Sequence, residues 1–208
     1  MVGMFIRSEF PTNRQAVALT FDDGPNPFYT PQILDIFREA GAPARATFFM
    51  IGEQIERYPE TAQAVREQGH EIGNHTYTHP YLTRLDDEAC RDELVRTHRL
   101  IESRTGAAPR TFRPPYIDCD ERVAGIAASL GYAIIGAVNG EARDWEQPGV
   151  RHIVDATKEQ VRPGSVLLFH DGYGDRSQTV EAVRILVPEL LAQGYELMTV
   201  SELMEQRP

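Results

Sequence analysis

The sequence predicts an α/β protein, a distorted (β/α)7-type barrel, on three observations. Seven short runs rich in Val, Ile, Phe and Thr alternate with segments of helical periodicity. Glycines close several of those helical segments just before the next apolar run. The polar residues best suited to chemistry stand immediately after the apolar runs, at the carboxyl ends where β/α proteins build their sites.

The first run, Val17–Phe21, reads as a buried strand and ends on Asp22-Asp23-Gly24-Pro25, strong turn chemistry. Ile33, Leu34, Ile36 and Phe37 then repeat with helical spacing, and Gly41 stands where a helix C′ glycine belongs. Ala46–Ile51 is the second strand, and Gly69 precedes the third, Glu71–His75. The fourth, Thr111–Arg113, stops at two prolines that cannot continue a helix or donate within a sheet. Gly131 introduces the fifth, Tyr132–Val138, and Ser165–His170 is the sixth. Val180, Val183, Ile185, Leu186, Leu190 and Leu191 mark a helix, and Gly194 leads into the seventh strand, Tyr195–Val200. Strands separated by helices imply a parallel sheet. Seven β/α units in 208 residues fit one compact, incomplete barrel spanning 1–208, with an open doubly wound sheet as the alternative. No glycine-rich phosphate loop follows the first strand; two carboxylates occupy that place.

Composition sets limits. The 41% hydrophobic and 25% charged content is that of an ordinary globular chain. No apolar run approaches the roughly 18 residues of a membrane span. The first fifteen residues carry no basic region, long apolar run or small-residue cleavage site, so no signal peptide is read there. A cytoplasmic protein is expected, unless the chain was trimmed from a secreted precursor. A net charge of −10 without a basic stripe argues against nucleic acid. A monomer is expected. Cys90 and Cys119 read as two unrelated thiols, with one disulfide as the alternative.

The candidate chemistry is spread along the chain. Asp22 and Asp23 stand where the chain turns, so both can line one cavity, although the same residues alone would make a good turn. His75 and His79, four apart, can present both imidazoles on one face of a helical turn. A carboxylate with two imidazoles gives three ligands and leaves positions open, the pattern of a catalytic metal. Such a set suits Zn2+ and accepts Co2+ or Ni2+. Arg113, fixed beside two prolines, could hold a carboxylate in a forked pair. Asp144-Trp145 contains the single Trp, which could wall a sugar groove from its polar loop. His170, at the mouth of a buried strand, is a candidate general acid. His70 and His98 have no such neighbour and read as surface or structural residues.

These motifs resemble the polysaccharide deacetylases of carbohydrate esterase family four, which share the NodB homology domain. The likeness runs from about Ala16 to Leu203 through Leu19–Pro25, Ala46–Phe49, Gly69–His79, Arg113–Tyr116, Asp144-Trp145 and Leu168–His170. The resemblance implies a metal-dependent hydrolysis of acetyl groups on carbohydrates. Carried over by position, Asp22 is the general base, and Asp23, His75 and His79 hold the metal. Arg113 would orient Asp22, and Asp144 would pair with His170. Leu168 would receive the acetyl methyl with Trp145 beside it, and the Tyr116 N–H would help hold the oxyanion. The loop after Tyr116, Ile-Asp-Cys-Asp-Glu, is more acidic than the glycine-containing turn usual in relatives. Tyr77, Tyr116, Trp145 and Tyr173 are expected as stacking faces of an open groove, with N-acetylglucosamine in chitin oligomers or peptidoglycan as substrate. O-deacetylation of acetylxylan, hydrolysis of a small non-carbohydrate amide and non-catalytic sugar binding are the alternatives.

Overall fold

The computed structural model describes residues 5–41 and 43–206; the first four residues of the stretch read for a leader, Ala42, Arg207 and Pro208 lie outside it. Among the described residues eight strands occur: β1 (Ile6–Arg7), β2 (Ala16–Asp22), β3 (Thr47–Met50), β4 (Glu71–Asn74), β5 (Thr111–Phe112), β6 (Ala133–Ile135), β7 (Val166–His170) and β8 (Glu196–Leu197). The seven expected runs are β2 to β8, shorter at most ends than the sequence suggests. The addition is β1, two residues that pair in parallel with β6. So short a strand carries no periodicity to read.

The main sheet runs β1-β6-β5-β4-β3-β2-β7, and every paired strand is parallel. β8 pairs with the first residues of β2. The open side, between the edge strands β1 and β7, is bridged by the chain just after β1 and just after β6. Val166 N–H donates to the Ser8 carbonyl at 3.1 Å, and Val138 N–H donates to the Val166 carbonyl at 3.0 Å. The outcome is the distorted barrel that the alternation predicts.

Among the described residues eight α-helices connect or flank the strands: α1 (Tyr29–Glu39), α2 (Gly52–Arg57), α3 (Pro59–Glu67), α4 (Asp87–Thr105), α5 (Glu121–Ser129), α6 (Val150–Lys158), α7 (Ser177–Ala192) and α8 (Val200–Glu205). Gly41, Gly69, Gly131 and Gly194 all take positive φ, as C′ residues should. Asp86 caps α4, and Thr199 with Glu202 forms a capping box on α8. None of the described helices is long and apolar enough to cross a membrane.

Every residue of β2 is buried, because helices cover one face and the barrel interior the other. The period of two divides its side chains. Val17, Leu19 and Phe21 join the cluster shared with α1 and α7, while Ala16 and Ala18 belong to the cluster containing Phe49, Ile135 and Val166. Phe21 stacks on Phe48 at 5.0 Å and on Phe169 at 5.9 Å, binding three neighbouring strands under the helices. Each such ring contributes roughly 1.5–3 kcal/mol by burial. The same alternation that sends Phe21 outward sends Thr20 and Asp22 inward. A slip of one residue would exchange them, so the hydrophobic pattern fixes the direction of the carboxylate.

Candidate active site

Asp22 is the last residue of β2 and lies directly across from His170, the last residue of β7, in the parallel register. Asp23 follows with φ 73°, a left-handed residue. On a straight strand neighbouring side chains diverge; this turn brings both carboxylates to the mouth of the barrel. Gly172 is required behind them, since a Cβ there would sit 1.9 Å from the Asp23 carbonyl oxygen. Together with Thr78, Pro114, Ile117, Leu168 and Tyr173, these residues line a cavity of about 660 Å³ that also holds His75, His79, Tyr116 and Trp145. Asp23, His79, Tyr116, Ile117 and Tyr173 all have positive φ, so the strained backbone is concentrated where the reacting groups would be held.

His75 and His79 are not on a helical turn, as their spacing suggested; they flank an irregular loop beyond β4. The local hydrogen bonds explain this. The Asn74 side chain accepts from Thr76 N–H at 2.9 Å, and the Thr76 hydroxyl accepts from His79 N–H at 3.1 Å. Glu93 on α4 takes the N–H groups of Tyr77 and Thr78, at 2.7 and 2.8 Å. These bonds satisfy the backbone without a helical ladder and aim both imidazoles at Asp23.

Asp23 Oδ1 lies 3.4 Å from His75 Nε2 and 3.1 Å from His79 Nε2, and the ligand atoms of the three residues fall within 4.8 Å of one another. Yet Asp23 Oδ1 is buried without an aligned hydrogen-bond donor. His75 Nδ1 faces the Arg113 carbonyl at 2.6 Å, which leaves its Nε2 lone pair free when Nδ1 carries the proton. Burial pushes the Asp23 carboxyl up, but His75 and His79 pull it further down, to well below the usual carboxylate range. Three lone-pair atoms converging on one point, one of them unpartnered, fit a divalent cation with open coordination positions.

Two further pairs flank this triad. Arg113 is completely buried, and its Nη1 donates to Asp22 Oδ1 and to the Thr20 hydroxyl, each at 2.7 Å. The forked pairing expected of this arginine does not form. Its remaining nitrogens serve the Ile135 and Gly136 carbonyls, because the barrel wall needs those acceptors satisfied. On the other side Asp144 accepts from His170 twice, at Nδ1 and at the backbone N–H, both at 2.8 Å. The Thr179 hydroxyl donates to Asp144 Oδ2 at 2.9 Å. Burial pushes His170 down, but the Asp144 charge and hydrogen bond, with smaller help from Asp22 and Asp23, bring it up to about 9. His170 is therefore protonated at neutral pH, with Nε2 as the nitrogen not engaged by Asp144.

A profile of the family described as polysaccharide deacetylase matches residues 10–135, more than half of the chain. A peptidoglycan-N-acetylglucosamine deacetylase of Bacillus cereus is 40% identical over 204 residues, 98% of this chain and 94% of that protein. The chain belongs to the polysaccharide deacetylase family. A chitooligosaccharide deacetylase of Bradyrhizobium is 38% identical, covering 91% of this chain and 90% of the relative. The crystal structure of the Bc1960 peptidoglycan N-acetylglucosamine deacetylase superposes with a TM-score of 0.90 at 31% identity, covering 96% and 92% of the two chains. The family and the barrel expected from the motifs are both borne out.

All ten site residues read from the sequence meet at this mouth: eight line the cavity, Tyr116, Trp145, Leu168 and His170 among them, and Arg113 and Asp144 stand behind it, holding Asp22 and His170. Trp145 is 41% exposed and meets the His170 ring edge-on at 5.4 Å. Tyr173 also faces the cavity. Tyr77 does not, contrary to expectation. It is only 8% exposed, its hydroxyl donates to Glu56 at 2.7 Å, and Arg96 covers its ring. His70 is a buried structural residue whose Nδ1 accepts from Ala46 N–H at 3.1 Å, while His98 meets the Tyr132 hydroxyl at 2.7 Å. Both cysteines are buried and free.

Several supporting residues escape a reading by sequence. Asn139 accepts from Leu168 N–H at 2.6 Å and donates to the Leu168 carbonyl at 3.1 Å, replacing a strand neighbour for that residue alone. Arg176, buried, ties the loop of Tyr173 to that of Trp145 through the Gly172 and Trp145 carbonyls. Asp171, fully buried against Gly24, receives the Thr30 hydroxyl and is raised to about 7 by burial, with the charges of Asp23 and Asp22 adding to it. The one sequence signal for Asn139 is its place in Val-Asn-Gly after a strand, which reads only as a turn. Asn139→Ala should leave the Leu168 amide unpaired, at a cost of about 1–3 kcal/mol measured by urea unfolding, and should raise KM for acetylated substrate.

Proposed function

We propose that this chain is a divalent-metal-dependent deacetylase acting on N-acetylglucosamine units of chitin oligomers or peptidoglycan. The observation that carries the reading is the division of the site. Three lone-pair atoms converge at Asp23, His75 and His79, with an arginine-held carboxylate and an aspartate-held imidazolium on separate strands beside them. A bound Zn2+, or Co2+ or Ni2+ in its place, supplies a Lewis acid and lowers the pKa of water. Asp22, fixed by Arg113, takes the proton from the attacking water as general base. The Tyr116 N–H, in its left-handed turn, is offered to the developing oxyanion. Leu168 and Trp145 offer an apolar wall to the acetyl methyl.

His170 supports the amide reading over the ester. An alkoxide leaves readily, whereas an amine leaves only after protonation, so a residue held protonated at neutral pH favours the N-acetyl substrate. The identity of relatives named for peptidoglycan and for chitooligosaccharides supports the same sugar. Acetate release should be measured from chitooligosaccharides, N-acetylated peptidoglycan and acetylxylan, with metal analysis of the same preparation. Release from either N-acetylglucosamine substrate at a higher kcat/KM than from acetylxylan is expected. Faster release from acetylxylan would overturn the N-deacetylase reading, and release from none would overturn the activity.

A further inference from the structure

Each metal-facing imidazole needs its remote nitrogen assigned, because that bond sets both tautomer and ring orientation. For His75 the partner is a backbone carbonyl, that of Arg113, which cannot move. For His79 the partner is the Tyr116 hydroxyl, 3.2 Å from Nδ1. That partner stands on an exposed side chain, 56% accessible, in a turn with φ 58°. Something must hold it.

The surrounding contacts form a layered support. The Tyr116 ring meets His79 edge-on, with centroids 4.7 Å apart. Its face lies on Tyr81 at 4.0 Å and 12°, and the Arg84 guanidinium covers Tyr81 at 4.2 Å. The two turns that carry these rings are tied together. The Asp118 carboxylate accepts from both the N–H and the hydroxyl of Thr83, each at 2.9 Å, and Arg122 donates to the Leu82 carbonyl at 2.9 Å. The acidic loop after Tyr116 thus acts as a fastener: Asp118 holds the turn of Tyr81, and Asp120 caps α5 through Val123 N–H.

We propose that the Tyr116 hydroxyl is the acceptor that fixes the Nδ1 proton of His79 and so aims its Nε2 as a metal ligand, with Tyr81 and Asp118 as positioning residues that hold Tyr116 in place. The inference rests on the metal-dependent reading above and adds to it a second role for Tyr116, in the side chain rather than the backbone.

The test is zinc affinity of the metal-stripped full chain, by competition with a chromophoric chelator and without substrate. Tyr116→Phe keeps the ring stack and removes only the acceptor; its affinity should fall about 10- to 100-fold, the usual effect of losing such a partner. The thermal midpoint of the metal-free protein should not change, which a merely structural role would not allow. Tyr81→Leu and Asp118→Asn should weaken zinc by a smaller factor in the same direction. Tyr116→Phe binding within about twofold of the wild type would overturn the proposal. Weak binding by Tyr116→Phe with unaltered binding by both other variants would overturn the support assigned to Tyr81 and Asp118. A wild-type chain that takes up no zinc, cobalt or nickel would overturn the metal reading itself, and this inference with it.

Discussion

Asp22→Asn should retain the metal and lose turnover, with kcat falling about 10²- to 10⁴-fold, the range for removing a positioned general base. The substitution preserves shape and the acceptor oxygen that Arg113 Nη1 uses at 2.7 Å. It removes the charge and the proton-accepting capacity. The metal should stay because the triad does not include Asp22, whose Oδ2 is 3.7 Å from His75 Nε2, beyond the Asp23 contacts. A stability change should accompany the loss. Arg113 is fully buried, and Asp22 is its carboxylate partner among the described residues. Breaking a buried pair outright costs about 3–5 kcal/mol, and the retained amide oxygen should keep the cost below that range. Metal content, urea unfolding and acetate release on one preparation separate these effects. Near-normal acetate release would remove Asp22 from the role of base.

How much of this was legible beforehand depended on whether the signal was local. β2 could be read because seven buried residues ending in Asp-Asp-Gly-Pro carry periodicity, turn chemistry and chemistry-bearing side chains together. The same holds for β7 and its terminal histidine. The direction of the His75–His79 loop could not be read, because a four-residue spacing is compatible with helix and loop alike. The deciding partner, Glu93, lies 16 residues from Tyr77 on another element. Arg113 is legible, but its geometry is not: the competing acceptors at Ile135 and Gly136 lie at the end of β6 and just beyond it, more than twenty residues later. Asn139, Thr179 and Arg176 act across similar gaps, through hydrogen bonds that leave no periodic trace. Tyr77 failed for the opposite reason. An aromatic residue beside a candidate metal ligand looks like a groove wall, until burial under Arg96 shows which way it faces.

Asp144→Asn should move the alkaline limb of the kcat–pH profile toward acid and lower kcat about 10²- to 10⁴-fold. The sign follows from the balance on His170. Burial favours the neutral ring, and the Asp144 charge and hydrogen bond more than reverse it, raising the group from 6.5 to about 9. Below that value His170 carries the proton that a leaving amine requires; above it the acid form disappears. Asparagine keeps an acceptor for Nδ1 and the Thr179 contact but removes the leading cause of the rise, so the acid form disappears at lower pH. Stability should follow the same sign. The pair's contribution is fully present below 6.5 and is lost as pH rises through about 9, so the wild type should lose more stability than the variant across that window. Ester substrates supply the internal control, because an alkoxide depends less on the acid. Asp144→Asn should therefore depress amide turnover more than ester turnover, and equal losses on both would place Asp144 in the architecture of the site rather than in proton delivery.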